Sequence, residues 1–139
     1  MPGSGPVDRD QVVAGIPIFG QLASALADAG YLVVRYDKRG IGQSGGRAEA
    51  ATLADYADDL VSIVKWLEKR KDVDRQRIIV VGHSEGAWVG MLAGSREKRI
   101  ARLVLIAGAG TTGADLILEQ QQHALSRTTL PDAEKQQRA

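Results

Sequence analysis

The chain has 139 residues, of which 44% are hydrophobic and 25% are charged, and its formal net charge is +1. This composition is typical of one globular domain, and the scattered charges provide no basic surface for nucleic acid or for an anionic membrane. There are no cysteines, and the 2 histidines, His83 and His123, are too few for a histidine-rich metal site. No apolar run approaches the roughly 18 residues of a membrane span, and the first ten residues lack the regions of a signal peptide. We therefore expect a cytoplasmic protein with no metal, no nucleic-acid partner and no membrane partner.

The hydrophobic pattern predicts strands that alternate with helices. In chain order, the predicted elements are a helix from Phe19 to Leu26 that Gly30 ends, a strand at 31–36, a helix at 53–67, a strand at 78–81, a helix at 87–93, a strand at 103–107 and a Gln-rich helix at 114–125. The helix at 53–67 begins with Thr52 and Asp55 in the spacing of a capping box. Apolar strands separated by helices favour the α/β class, with a parallel sheet covered by helices on both faces.

One motif in this pattern carries chemistry. Gly82-His83-Ser84-Glu85-Gly86 matches G-x-S-x-G and stands between a predicted strand and a predicted helix. A sharp turn there would raise the Ser84 hydroxyl above the sheet, and Gly82 and Gly86 would leave room for neighbouring backbone. The amide of Glu85, at the start of the helix, could then donate to an oxyanion. The sequence therefore predicts Ser84 as a nucleophile.

Three segments together resemble the α/β-hydrolase fold, in its prokaryotic esterase and serine-aminopeptidase-like branch. These are the start at 3–10, the run Arg35-Tyr36-Asp37-Lys38-Arg39-Gly40-Ile41-Gly42-Gln43-Ser44, and the motif at 82–86. The resemblance implies that Ser84 is the nucleophile of a serine hydrolase acting on carboxylic esters, with no cofactor. It also implies two backbone oxyanion donors, Glu85 and Ser4. A His-Gly pair usually opens the first loop in this family, whereas Pro2 precedes Gly3 here.

A serine nucleophile needs a histidine base, and that histidine needs an acid. His83 lies inside the motif and is expected to point elsewhere. Asp115 and His123 have the right order along the chain, but eight residues of one helix separate them by about 12 Å, beyond hydrogen-bonding reach. The resemblance implies further strands before Gly3 and after the Gln-rich helix, which would supply the acid and the histidine.

These observations predict a fragment of a longer hydrolase, incomplete at both ends. We expect 1–112 to be a partial core and 113–139 to begin a helical cap or lid insertion with a polar tail. The isolated chain is expected to be nearly inactive on its small acyl substrate. Ester, amide and thioester substrates remain open, as does the oligomeric state.

Two other readings compete with a serine hydrolase. A non-catalytic α/β-hydrolase-like module that binds an acyl ligand would also lack the base and the acid. A dinucleotide-binding domain is suggested by G-x-G-x-x-G at 40–45 and at 108–113. After the first copy, the next helix begins too far along the chain. The fingerprint also requires a second strand with an acidic residue about 20 residues after the motif, and the second copy has no such strand.

Overall fold

The computed structural model describes residues 1–128 in two compact units, Met1–Gly108 and the segment from Ala109 onward. The elements in chain order are β1 (Val12–Val13), β2 (Ile16–Pro17), α1 (Ile18–Asp28), α2 (Leu53–Glu68), β3 (Ile78–His83), α3 (Glu85–Arg96), β4 (Ile100–Ile106) and α4 (Gly113–Ser126). The end of the polar tail, at 129–139, lies outside the described residues. The four predicted helices are therefore present, with α3 longer at both ends than its apolar pattern indicates.

The sheet of the first unit consists of β3 and β4, which run parallel and pair Val80 with Leu103 and His83 with Ile106. This confirms two of the predicted strands and the parallel sheet. Helix α3 connects the two strands and packs against both. Burial alternates along β3, but residues 101–106 of β4 are exposed, so the expected cover of helices on both faces is not seen at β4. A two-residue antiparallel pair, β1 with β2, was not predicted.

The predicted strand at 31–36 is not a strand in the structure. This segment forms no ladder with another strand among residues 1–128, and Tyr31, Leu32 and Val34 are exposed. It borders a cavity of about 760 Å³ that is also lined by α1 and by residues 78–81 of β3. The apolar, β-branched composition is typical of a buried strand, but a strand also needs a partner whose backbone can bond to it.

Helix α2 carries the core of this unit. Its N-terminus is the predicted capping box, in which Thr52 Oγ1 accepts the Asp55 amide at 3.2 Å and Asp55 Oδ2 accepts the Thr52 amide at 2.8 Å. The buried cluster joins α2 to β3 and α3 and consists of Tyr56, Ala57, Leu60, Val80, Val89 and Ala93. This packing fixes α3, and with it the turn that precedes α3.

The second unit contains α4, which begins with Thr112 as N-cap; Thr112 Oγ1 accepts the Asp115 amide at 3.2 Å. No side chain of α4 is buried. The domain boundary expected at 112/113 remains a prediction. Among residues 1–128, no helix has the length and apolar character needed to cross a membrane.

Candidate active site

Ser84 occupies the turn between β3 and α3, where the backbone adopts an unusual conformation. Its φ of 54° and ψ of −121° lie in a region that non-glycine residues rarely adopt. The Ser84 amide donates to the Ile106 carbonyl at 2.9 Å, so the turn is bonded to the end of β4. Strain of this kind persists only where the surroundings impose it, and it occurs most often at functional sites. The side chain is half-buried at the C-terminal end of the parallel strands.

The two glycines of the motif lie where backbone segments approach each other most closely. A Cβ on Gly82 would overlap with the Gly86 carbonyl oxygen, and a Cβ on Gly86 would overlap with the Met1 carbonyl oxygen. The same Cβ on Gly86 would lie 2.6 Å from the carbonyl oxygen of Pro2. Backbone atoms cannot move aside as the end of a flexible side chain can. The turn therefore requires glycine at both positions.

The N-terminal loop lies directly against Ser84. A Cβ on Gly3 would be 3.4 Å from Ser84 Cβ, and the Gly3 amide donates to Gln11 Oε1 at 2.9 Å. Within residues 1–128, neither the Ser4 amide nor the Glu85 amide has a hydrogen-bond acceptor. The two sequence-predicted oxyanion donors thus belong to segments that meet at Ser84, and both N–H groups are available.

The His83 side chain is bonded to Gln11 rather than to Ser84. The Nε2 of Gln11 lies 2.7 Å from His83 Nδ1. Because Gln11 Oε1 already accepts the Gly3 amide, Gln11 Nε2 is the donor, so Nδ1 accepts and the ring proton resides on Nε2. Nδ1 is therefore engaged by Gln11, and within residues 1–128 neither ring nitrogen is hydrogen-bonded to Ser84. The expectation that His83 points elsewhere agrees with this geometry.

Asp115 and His123 are both on α4, as the sequence predicts. Asp115 caps the helix: its Oδ2 accepts the hydroxyls of Thr112 at 2.6 Å and of Thr111 at 3.2 Å. These bonds hold the pKa of Asp115 below its ordinary value. His123 is exposed in the last turn of the helix. The two side chains therefore have separate surroundings and do not form an acid–base pair.

The loop after residue 36 is closed by a buried carboxylate. Asp37 is 4% exposed; its Oδ1 and Oδ2 accept Arg9 Nε at 2.9 Å and Nη2 at 2.6 Å, and its Oδ2 also accepts the Gln43 amide at 3.0 Å. The first glycine-rich motif therefore wraps around this side chain, and the next helix begins only at Leu53. The loop therefore has a structural role. Because no helix begins directly after this motif, it does not offer the helix N-terminus that binds the pyrophosphate of a dinucleotide.

Replacing Asp37 by Asn should lower stability, mainly at neutral pH. The hydrogen bonds from the Arg9 side chain, from the Gln43 amide and from the Arg9 amide hold the pKa of Asp37 well below its usual value of 3.8. A depressed carboxylate pKa stabilises the fold above the unfolded pKa, and this contribution is lost as the pH falls below it. We expect Asp37→Asn to lower the melting temperature by roughly 5 °C at pH 7, and by less near pH 3.

The control for this prediction is Asp72→Asn. Asp72 forms an exposed ion pair with Arg70, and exposed pairs contribute about 0 to 1 kcal/mol. Circular dichroism melts at both pH values measure the difference. Equal effects of the two substitutions at pH 7 would contradict the structural role of Asp37.

One charged side chain at the site was missed by the sequence analysis. Lys38 is 2% exposed, and its Nζ lies 2.8 Å from Glu85 Oε1 and 3.1 Å from the Gly3 carbonyl oxygen. The only signal was a lysine two residues after the apolar run at 31–36, and lysine is usually a surface residue. Among residues 1–128, no cluster of His, Cys, Asp and Glu could hold a metal ion.

Comparison with known proteins gives a consistent family. A family model described as serine aminopeptidase, S33, matches residues 16–135. Esterase EstD of Thermotoga maritima is 34% identical over 96 residues, which is 69% of this chain and 23% of EstD. Putative carbamate hydrolase RutD of Variovorax paradoxus is 34% identical over 110 residues, 73% of this chain and 39% of RutD.

A third relative is the human mitochondrial palmitoyl-protein thioesterase ABHD10, which is 31% identical over 84 residues, 60% of this chain and 26% of the relative. The chain thus spans well under half the length of each of these proteins. The family model covers most of the chain, and the parallel pairing of β3 with β4 agrees with an α/β fold. The chain belongs to the α/β-hydrolase family of S33-type serine aminopeptidases.

Proposed function

We propose that this chain carries the nucleophile and the oxyanion donors of a serine hydrolase that cleaves carboxylic esters. The observation that carries the proposal is the positive φ of Ser84 between β3 and α3, which holds the hydroxyl at the end of the parallel strands. The free amides of Ser4 and Glu85 support it, because backbone donors beside a nucleophile are what a tetrahedral oxyanion requires. The relatives named as an esterase, a thioesterase and a carbamate hydrolase support acyl transfer as the reaction class.

In the proposed reaction, Ser84 Oγ attacks the carbonyl carbon of the ester and loses its proton to a base. The carbonyl oxygen becomes an oxyanion held by the two amides, the alcohol leaves with a proton, and the acyl group remains on Ser84 until water removes it. Within residues 1–128, no histidine is bonded to Ser84. The proposal therefore assigns the triad acid and histidine to segments of a longer protein that lie outside this chain.

Acylation of Ser84 by p-nitrophenyl acetate tests this function. We expect slow, Ser84-dependent acetylation with very weak turnover, because a serine without its base retains only the help of the oxyanion donors and of binding. Intact-mass and peptide mass spectrometry should find one acetyl group on Ser84 in the wild-type chain and none on that peptide in Ser84→Ala.

The matched control is Ser95→Ala, which removes an exposed hydroxyl at the other end of α3 and should leave acetylation unchanged. Acetylation only at other residues would contradict a nucleophilic Ser84. Rapid multiple turnover that Ser84→Ala abolishes would contradict the assignment of the base to another segment.

The alternative is a non-catalytic α/β-hydrolase-like module, favoured by one observation, the engagement of His83 by Gln11. Sequencing the source DNA on both sides of this reading frame distinguishes the two functions. A downstream extension that supplies an acid and a histidine after further strands supports the enzyme. A stop codon after Ala139 together with a true start at Met1 supports the binding module.

A further inference from the structure

Lys38 is a buried cation whose three N–H donors are all used. Its Nζ donates to Glu85 Oε1 at 2.8 Å, to the Gly3 carbonyl at 3.1 Å and to the Gly5 carbonyl at 3.4 Å. The same atom lies 4.4 Å from the centre of the Tyr56 ring, on its face. One ammonium group therefore joins the N-terminal loop, the first residue of α3 and the core helix α2.

The bond to Gly3 fixes the direction of the Ser4 amide. The Gly3 carbonyl and the Ser4 N–H belong to one planar trans peptide, so they point in opposite directions. With the carbonyl oxygen held at Lys38, the N–H points away from Lys38, while Gly3 itself lies against Ser84. An ammonium bonded to the carbonyl also polarises the peptide and strengthens its N–H as a donor.

The second bond concerns charge. Glu85 is the first residue of α3, and its side chain is 24% exposed. An unpaired carboxylate there would disfavour a negative oxyanion beside the Glu85 amide, and Lys38 offsets that charge. The bond from Lys38 to Gly3 and the bond from Lys38 to Glu85 predict different results when they are removed. Only the bond to Gly3 acts on the N-terminal loop that contains the Ser4 amide.

We propose that Lys38 is a positioning residue, which holds the Gly3–Ser4 peptide so that the Ser4 N–H faces the oxyanion formed at Ser84. This inference rests on the proposed function. In the sequence, Lys38 is only one member of the run at 35–44 that carries the family resemblance, and its role follows only from contacts across 33 to 47 residues of chain.

The test uses the 139-residue chain and diethyl p-nitrophenyl phosphate. Ser84 Oγ attacks phosphorus, an O–P bond forms, the bond to p-nitrophenolate breaks, and the serine proton goes to hydroxide in alkaline buffer. The phosphoryl oxygen left on Ser84 takes the place of the oxyanion. Two quantities are measured: the rate of p-nitrophenolate release that Ser84→Ala abolishes, and the downfield shift of the Ser4 amide proton in the labelled protein.

We expect Lys38→Met to slow labelling by roughly tenfold or more and to remove the downfield shift of the Ser4 amide. Glu85→Gln keeps the bond from Lys38 to the Gly3 carbonyl, so the downfield shift of the Ser4 amide should be retained in this variant. The double variant should remain as slow as Lys38→Met. A double variant that reacts like wild type would overturn the proposal, because Lys38 would then only offset the charge of Glu85.

Lys65→Met is the matched control, since Lys65 is exposed in the last turn of α2 and should leave both quantities unchanged. Removal of a buried charge can unfold a protein, so Lys38→Gln is measured in parallel and melting curves accompany every variant. If neither Lys38 variant folds, Glu85→Gln decides, because loss of the Ser4 shift in that variant would overturn the role of Lys38.

Failure of the proposed function has a different signature. If the wild-type chain is never labelled at Ser84, the proposal that Ser84 is a nucleophile is contradicted. The positioning role of Lys38 is then tested in the unlabelled protein. There, the Gly3 carbonyl carbon and the Ser4 amide must change their chemical shifts in the Lys38 variants and keep them in Glu85→Gln. Unchanged shifts in folded Lys38→Met would overturn the positioning role whatever happens at Ser84.

Discussion

Gly86→Ala is expected to destabilise the fold by about 3 kcal/mol or more, which for a small domain approaches complete unfolding. The added methyl group would overlap with the Met1 carbonyl oxygen and lie 2.6 Å from the Pro2 carbonyl oxygen. Relief would require the N-terminal residues to move away from β3, which would break the bond from the His83 amide to the Met1 carbonyl. Urea unfolding followed by circular dichroism measures the loss.

Gly90→Ala is the matched control, because Gly90 lies one turn further along the same helix. Its added methyl group would be 3.4 Å from Val80 Cγ1, an ordinary contact. Alanine is better than glycine inside a helix by about 1 kcal/mol, so this variant should be as stable as wild type or slightly more stable. Equal unfolding midpoints for the two variants would contradict the close approach of Met1 to the Ser84 turn.

The Ser84 turn could be predicted from the sequence because the sequence signals for it are local. The apolar run of β3, the five-residue motif and the small residues of α3 follow one another without interruption, so their patterns alone indicate strand, turn and helix. The capping box of α2 was predictable for the same reason, since Thr52 and Asp55 are only three residues apart. In both cases the physical cause acts over a few residues of chain.

The segment at 31–36 was mispredicted because strand formation is not a local property. Its apolar residues are typical of a strand, but hydrogen-bonded partners are chosen by the whole sheet, and here a cavity separates the segment from β3. The hairpin of β1 and β2 was missed for the opposite reason. Two residues per strand are too few to create a recognisable alternation.

The contacts that define the site were also beyond a reading of local patterns. Gln11 bonds to His83 across 72 residues, and Lys38 bonds to Glu85 across 47. The residue types gave no indication that these two side chains are buried, because glutamine and lysine are usually exposed. The position of Ser84 between a strand and a helix could thus be predicted from the motif, whereas the side chains that bond around it could not.

The free energy of unfolding should rise between pH 5 and pH 8 because of the Met1 amino group. This group is buried and donates to the Val81 carbonyl at 2.6 Å, and burial lowers its pKa from 8.0 to about 5. Between these values the unfolded chain binds a proton that the folded chain does not, so stability increases with pH. Three pKa units correspond to about 4 kcal/mol. Below pH 5 both states are protonated, and this contribution no longer changes.

Acetylation of the Met1 nitrogen separates this effect from every other titration. The amide keeps one N–H for the Val81 carbonyl but cannot be protonated, and the cavity beside Met1 has room for the acetyl group. Urea midpoints of the free and acetylated chains, with Met1 retained as verified by intact mass, should differ most at pH 5 and converge above pH 8. If both chains lose the same stability between pH 8 and pH 5, another group causes the loss. If stability depends on pH only in the chain with the free amine, a neutral amide is more stable at this position beside β3 than a charged amino group. The reason is that only the ammonium incurs the cost of desolvation.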